Sequence, residues 1–211
     1  MITIRNIEVK KENNYLVTIG LKPVIGAELK LLLYDRDINE YLKVSTYLID
    51  YFVDYKPAIK DGETIGYHSW ILKFVISGDH FNLFEAKPNG DDYMEGVDFA
   101  ISVVVAQEEE CSIRDVTAIF PLFSQMLAVS KGVLEGEMID AVRYPSPDQM
   151  TGWWLTTELY DGNIESIQVI HYHHLAFKRP DIVKYMALPF GFRFQSGGAN
   201  EVWFDENVLS S

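Results

Sequence analysis

The sequence contains a single cysteine, Cys111, so no disulfide can form within the chain. Secreted domains of this size often depend on disulfides, whereas proteins of a reducing compartment do not. The N-terminal residues MITIRNIEVKK also lack the apolar segment of a signal peptide. Together these absences predict a cytoplasmic protein.

Long hydrophobic runs are absent as well. The most continuous apolar stretch, residues 97–106, is interrupted by Asp98. It falls far short of the roughly 20 apolar residues that a membrane-spanning helix needs. We therefore expect no membrane partner.

Basic residues are scarce. The chain has 18 Lys and Arg against 31 Asp and Glu, a net charge of −13. Binding to DNA or RNA depends on Lys and Arg that neutralise phosphates, so we expect no nucleic-acid partner. The surplus of acid is explained either by solubility or by recognition of a basic partner.

The usual catalytic motifs are missing too. No Walker motif, dinucleotide fingerprint or Gly-x-Ser-x-Gly elbow is present. Cys111 follows three glutamates, whose charge opposes formation of a reactive thiolate. We expect no catalytic residue and no cofactor.

Hydrophobic residues make up 48% of the 211 residues, enough for a substantial core. Strand and helix patterns alternate without a regular βαβ rhythm, which predicts an α+β fold with a mainly antiparallel sheet. The pattern indicates a long helix near 39–55, with Asn39 as its N-cap, and a short helix near 180–188. Strands are predicted at 126–130, 138–144, 152–157 and 167–175, while 97–111 suits either a strand or a helix. We expect one domain over 1–211, with subdomains 1–111 and 122–211 as the alternative.

The stretch 169-VIHYHHLAF-177 holds three of the five histidines. On a strand, His171 and His173 would share one face, while His174 would point to the other. Such a pair is a start for a zinc or iron site, but no third ligand follows nearby. Our first interpretation is therefore no metal, with a site on His171 and His173 as the alternative.

Acidic and aromatic residues are the candidates for partner binding. They are Asp91 and Asp92 in a polar loop, the run Glu108, Glu109 and Glu110, and the pair Trp153 and Trp154. On a strand the two tryptophan rings point to opposite faces, so one belongs to the core and the other is at least partly exposed. An exposed tryptophan is a common anchor of an interface.

Three short motifs lie within residues 128–157. They are Val129-Ser130-Lys131 at the end of a strand, Arg143 followed by Pro145, and Gly152-Trp153 after a polar loop. This segment resembles a bacterial immunity-protein family found beside polymorphic toxins, although Thr151 stands where Ser is more typical. The resemblance extends loosely through 171–194 and does not include the first 95 residues.

The resemblance implies a non-enzymatic protein that binds and neutralises a cognate bacterial toxin by occlusion. An acidic surface would suit a basic toxin domain, because complementary charge speeds and selects association. Two alternatives stay open: a metal-dependent enzyme that uses His171 and His173, and a structural module of a larger complex.

Overall fold

The computed structural model describes residues 1–198 and 200–210. The chain divides into two compact units, residues 1–102 and 103–211, and each unit contains one sheet. Most strand pairs are antiparallel, and helices accompany both sheets, so the predicted α+β class is confirmed. The expected subdomain bounds, 1–111 and 122–211, stay a prediction.

In the first unit the strands follow the order β1-β2-β3-β4-β7-β6-β5, and β8 pairs with β7. Only β4 and β7 pair in parallel within this unit, whose residues are all described. The elements are β1 (Ile2–Ile4), β2 (Ile7–Glu12), β3 (Tyr15–Ile19), α1 (Lys22–Ile25), β4 (Glu28–Leu32), α2 (Ile38–Tyr55), β5 (Thr64–Tyr67), β6 (Trp70–Ser77), β7 (His80–Ala86) and β8 (Tyr93–Glu95).

Helix α2 is the long helix that the sequence predicts at 39–55. Its N-cap is Asp37 rather than Asn39, because the Asp37 carboxylate accepts a hydrogen bond from the Asn39 backbone N–H at 2.8 Å. The buried residues Tyr41, Val44, Leu48 and Phe52 follow a helical spacing and form one apolar face. The helix therefore buries its apolar face in the core of the first unit.

A third helix, α3 (Asp98–Ser112), resolves the ambiguity of the segment 97–111 in favour of helix. Glu85 at the end of β7 explains where it starts. Its carboxylate accepts hydrogen bonds from the backbone N–H groups of Phe99 at 2.9 Å and Ala100 at 2.6 Å. These donors lack partners within the helix, so a distant side chain stabilises its first turn.

The second unit contains a sheet of order β12-β9-β11-β10-β13-β14, in which only β9 and β11 pair in parallel among the described residues. The predicted strands at 126–130, 138–144 and 152–157 are confirmed. The elements are β9 (Met126–Val129), β10 (Ile139–Arg143), β11 (Met150–Thr156), β12 (Gln168–His171), α4 (Tyr172–Lys178), β13 (Phe192–Ser196) and β14 (Glu201–Phe204).

The strand predicted at 167–175 is wrong in its second half, and the short helix predicted near 180–188 is present only as a single 3-10 turn. The strand expected at 167–175 ends at His171, where α4 begins. The helix expected near 180–188 is reduced to a 3-10 turn at Val183–Tyr185. The buried Arg179 accounts for the second difference, because it pairs with Asp181 at 2.8 Å, and its carbonyl accepts from the Ile182 N–H in a turn.

Candidate functional site

The second sheet has an inner face that is buried and an outer face that is not. Along β11, Trp153 and Leu155 are fully buried, whereas Trp154 between them is partly exposed. The inner face packs against the segment that follows α4, since the Trp153 indole N–H donates to the Met186 carbonyl at 2.9 Å. The same segment contacts α3 through the hydrogen bond from the Gln107 amide to the Val183 carbonyl at 2.9 Å.

The outer face presents one continuous row of side chains across all six strands. Strand pairing places its members side by side from β12 to β14: Val169, Ala128, Trp154, Val142, Arg193 and Trp203. All but Ala128 are partly or well exposed. The row combines two aromatic rings, aliphatic groups and one cation.

Arg143 lies on the opposite, inner face and is 2% exposed. It donates from Nε to the Thr151 carbonyl at 2.8 Å, and from Nη1 to three further backbone carbonyls, those of Ile119, Met186 and Leu188. Burial lowers the pKa of the guanidinium to about 10, so the side chain stays charged at neutral pH. The arginine of the sequence motif therefore joins four segments of backbone and does not face a partner.

The Gly-Trp motif is explained by the same packing. Gly152 has a φ of +83°, and a Cβ there would lie 2.2 Å from the Tyr144 carbonyl oxygen. Trp153 donates from its indole N–H to the Met186 carbonyl at 2.9 Å. The residues that identify the family resemblance thus build the scaffold of the second unit.

The structure separates the predicted contact residues into exposed and buried ones. Trp153 is 0% exposed and is not available to a partner in this conformation, whereas Trp154 is partly exposed and packs edge-on against Tyr144. Glu110 is also buried, since it pairs with Arg114 at 2.7 Å and Lys184 at 3.6 Å. As contact residues, Trp153 and Glu110 are therefore disfavoured by their burial.

The remaining acidic candidates are exposed. Glu108 and Glu109 lie on α3, in the second unit. Asp91 and Asp92 lie in a loop of the first unit, where Lys87 pairs with Asp92 at 3.3 Å. Because both sets face solvent, they stay candidates for partner binding.

All three histidines of the opening stretch come together in space. One ligand atom from each of His171, His173 and His174 lies within 4.8 Å of the others. The strand interpretation missed His174, because the chain changes from strand to helix directly after His171. Ring stacking between His171 and His173, with centroids 5.3 Å apart, accompanies the cluster.

His173 is the most enclosed of the three. Its ring stacks on Phe123 with centroids 5.5 Å apart, and its Nδ1 lies 3.3 Å from the Phe123 carbonyl oxygen. Burial, with the neighbouring His174 and His171, lowers the pKa of His173 below the usual value. The ring is therefore neutral at pH 7, and Nε2 is left free if Nδ1 donates to the carbonyl.

Cys111 does not form part of a reactive site. The side chain is 1% exposed, and its Sγ lies 3.5 Å from the Ala187 carbonyl oxygen. Burial raises the pKa of the thiol, which keeps it protonated at neutral pH. The direction is the one expected from the sequence, but its main cause is burial, and Glu110 and Glu108 raise the pKa least.

The second unit is thus an α+β scaffold with one open sheet face and a histidine cluster at the sheet's edge. Residues 106–205 match the family model described as the Imm33-like domain. The resemblance to an immunity-protein family of toxin systems is therefore confirmed over these residues, somewhat less than half of the chain. Searches of curated proteins and of solved structures found no match. No helix in residues 1–198 and 200–210 is long and apolar enough to cross a membrane.

Proposed function

We propose that this chain is an immunity-type protein that binds a cognate bacterial toxin and neutralises it by occlusion. The single observation that supports the proposal most is the Imm33-like match, which spans both faces of the second sheet. Its inner face is filled by the scaffold contacts of Arg143 and Trp153. The outer face of the same sheet is therefore the surface left for a partner.

The outer face has the composition of a binding surface. Trp154 lies near its middle, and Trp203 lies on the edge strand with the Arg193 guanidinium 5.7 Å from its ring. Tryptophan and arginine are the residues that most often dominate the binding energy of protein interfaces. We assign Trp154 as the central anchor, with Val142 beside it and Arg193 next along the row.

Charge supports a basic toxin as the partner. Residues 103–211 contain 15 acidic and 7 basic side chains, a net charge of −8. Two of those bases, Arg143 and Arg179, are buried, so the solvent-facing balance is more negative still. Complementary charge of this kind raises association rates and selects among partners.

An acidic cleft at one end of the sheet adds to this pattern. It has a volume of about 370 Å³, and its lining includes Asp140, Glu158 and Glu201. Ser196 also lines it, and the Ser196 hydroxyl has no hydrogen-bond partner among the described residues. Arg193 lies 3.9 Å from Asp140 and offsets part of the charge. We propose that the cleft receives a lysine or arginine side chain of the toxin.

The exposed acids Glu108 and Glu109 would extend the acidic surface of the second unit, while Asp91 and Asp92 are separate candidates for partner binding in the first unit. Neutralisation would take place in the cytoplasm of the toxin-producing cell. No chemical step is required of the immunity protein, since occlusion works by binding alone.

Protection of living cells tests the proposal. The proposal predicts a toxin gene near this one; that toxin domain is expressed in a host cell with and without the chain, and survival is counted. We expect survival only with the chain, and we expect Trp154→Ala to weaken binding of the purified toxin domain by about 30-fold, the effect of removing one hot-spot side chain. Tyr55→Ala, which removes a ring that is 73% exposed and lies in the first unit, is the matched control.

Two results would contradict this assignment. If cells die equally with and without the chain, the immunity function is wrong. If the chain protects cells but Trp154→Ala and Tyr55→Ala bind the toxin equally well, the outer face is not the contact surface. A stable complex with a protein other than a toxin would favour the structural-module alternative instead.

A further inference from the structure

The histidine cluster has the donor set of a transition-metal site. His171 is the last residue of β12, and His173 and His174 belong to the first turn of α4. One ring nitrogen from each lies within 4.8 Å of the others. The cluster consists of imidazoles alone, since no Cys, Asp or Glu of the described residues joins it at this spacing.

Backbone contacts determine where these rings lie. The Tyr172 N–H donates to the Gln125 carbonyl at 2.7 Å, and His171 pairs with Met126 in the register of β12 and β9. Tyr172, which directly follows His171 in the sequence, is buried and anchors the start of α4 in the core. The junction between strand and helix is therefore held on both sides, and the three histidines project from a fixed backbone.

One ring is also oriented by a second contact. The Nδ1 of His173 lies 3.3 Å from the Phe123 carbonyl oxygen, and the ring stacks on Phe123. Histidines that bind metal usually donate their other ring N–H to a carbonyl or carboxylate, which orients the ligating nitrogen. Nε2 of His173 is then the atom free to bind an ion.

The spacing is close to what an ion needs. Tetrahedral zinc, with bonds of about 2.0 to 2.1 Å to nitrogen, places two ligand nitrogens about 3.4 Å apart. The ligand nitrogens of the three histidines lie at most 4.8 Å apart, so each pair must approach by about 1.4 Å or less to bind a zinc ion. His171 and His174 are both exposed, so rotation of their side chains can supply this approach without moving the backbone.

We propose that His171, His173 and His174 form a binding site for one divalent transition-metal ion of the zinc class. Imidazole suits zinc, copper, nickel and cobalt, while the absence of oxygen ligands in the cluster disfavours magnesium and calcium. Three protein ligands leave a fourth position for water or for an external ligand.

The site lies at the edge of the outer sheet face. In β12, His171 is two residues from Val169 and so projects to the same side of the sheet. Metal binding does not depend on the proposed toxin binding, and either can fail without the other. If both hold, the open fourth position would be accessible to a residue of the partner.

Metal titration of the untagged, chelator-treated full chain tests the site. We expect one Zn²⁺ per chain by calorimetry, and a Co²⁺ derivative with the visible absorption of a tetrahedral ion. His173→Gln should lower the affinity at least tenfold, and the combined substitution of all three histidines by glutamine should abolish stoichiometric binding. His80→Gln, a histidine of the first unit outside the cluster, should bind like the unsubstituted chain.

Several outcomes would overturn the proposal. One is binding of less than one ion per chain at micromolar Zn²⁺. Another is a triple variant that binds Zn²⁺ as tightly as the unsubstituted chain. A third is a His80→Gln variant that loses as much affinity as His173→Gln. Far-ultraviolet circular dichroism of every variant separates loss of ligands from loss of fold. Retained structure with abolished binding supports the site, and retained binding in a folded triple variant refutes it.

Discussion

The buried guanidinium of Arg143 donates a hydrogen bond from Nε to the Thr151 carbonyl at 2.8 Å. The same side chain reaches three other carbonyls, yet the described residues supply it with no carboxylate partner. Its charge is stabilised by backbone dipoles and by the Phe190 ring, whose centroid lies 5.1 Å away. This one residue links β10, β11 and the segments around residues 119 and 188.

Arg143→Lys should therefore destabilise the protein despite conserving the charge. A lysine donates from a single nitrogen and cannot reach Thr151 and the other three carbonyls together, so buried acceptors lose their partners at about 1 to 3 kcal/mol each. We expect a loss of about 3 kcal/mol or more in urea denaturation. Arg193→Lys, at a partly exposed position on the outer face, should cost less than about 1 kcal/mol. Equal losses in the two variants would refute the scaffold role of Arg143.

Gly152→Ala should be among the most destabilising single substitutions in the second unit. The backbone at Gly152 is left-handed, and the new Cβ would lie 2.2 Å from the Tyr144 carbonyl oxygen, which cannot move without disrupting the pairing of β10 with β11. We expect a loss above about 3 kcal/mol, measured by thermal unfolding. Gly78→Ala is the control, because its φ is +61° but no atom lies within 4 Å of the new Cβ. It should cost only about 1 kcal/mol.

Stability should depend on pH through Glu85. Burial raises the pKa of this carboxyl from 4.5 to about 7, against the lowering effect of its hydrogen bonds from Phe99 and Ala100. Because the folded pKa lies above the unfolded one, the folded state holds the proton more tightly. The tighter binding of this proton by the folded state stabilises the protein fully below about pH 4.5, and this stabilisation is lost as the pH rises through 7.

Glu85→Gln removes this dependence. Urea denaturation at pH 5 and at pH 8 gives the free energy of unfolding of the variant and of the unsubstituted chain. The difference, variant minus unsubstituted chain, should be about 2 to 3 kcal/mol larger at pH 8 than at pH 5. Asp35→Asn removes an exposed acid of the same unit and should show no comparable change. A Glu85→Gln variant with the same pH profile as the parent would contradict the raised pKa of the buried carboxyl.

The two adjacent tryptophans should lose different amounts of stability on the same substitution. Trp153→Phe loses the indole hydrogen bond to Met186 and leaves a cavity in a fully buried site, so we expect a loss of about 2 kcal/mol or more. Trp154→Phe on the open face should cost less than about 1 kcal/mol. Chemical denaturation of both variants provides the measurement. The reverse order would mean that the inner and outer faces of β11 are assigned wrongly.

Regular elements with local signals could be predicted from the sequence. Helix α2 combines apolar residues at helical spacing with an uninterrupted run free of Gly and Pro. The structure differs from the prediction mainly at the start of this helix, where the N-cap is Asp37 instead of Asn39. The strands β9, β10 and β11 are short apolar runs between turn residues. Such signals depend on neighbouring residues and need no knowledge of distant contacts.

The histidine cluster shows where local signals are insufficient. Residues 167–175 have a strand-like composition throughout, yet the strand ends at His171 and α4 begins at Tyr172. The Tyr172 side chain is fully buried, and this burial depends on residues that are distant in sequence and leave no trace in the local pattern. On a continuous strand, His174 would lie on the opposite face from His171 and His173.

By itself the sequence determined the α+β class, the acidic charge and the resemblance to an immunity-protein family, because composition, periodicity and short motifs are properties of the chain alone. Only the tertiary structure decided that Trp154 rather than Trp153 is exposed, that Arg143 serves the scaffold, and that three histidines share one place. The physical reason is the same in each case: burial and convergence depend on which strands and turns pack together, and those partners are distant in sequence.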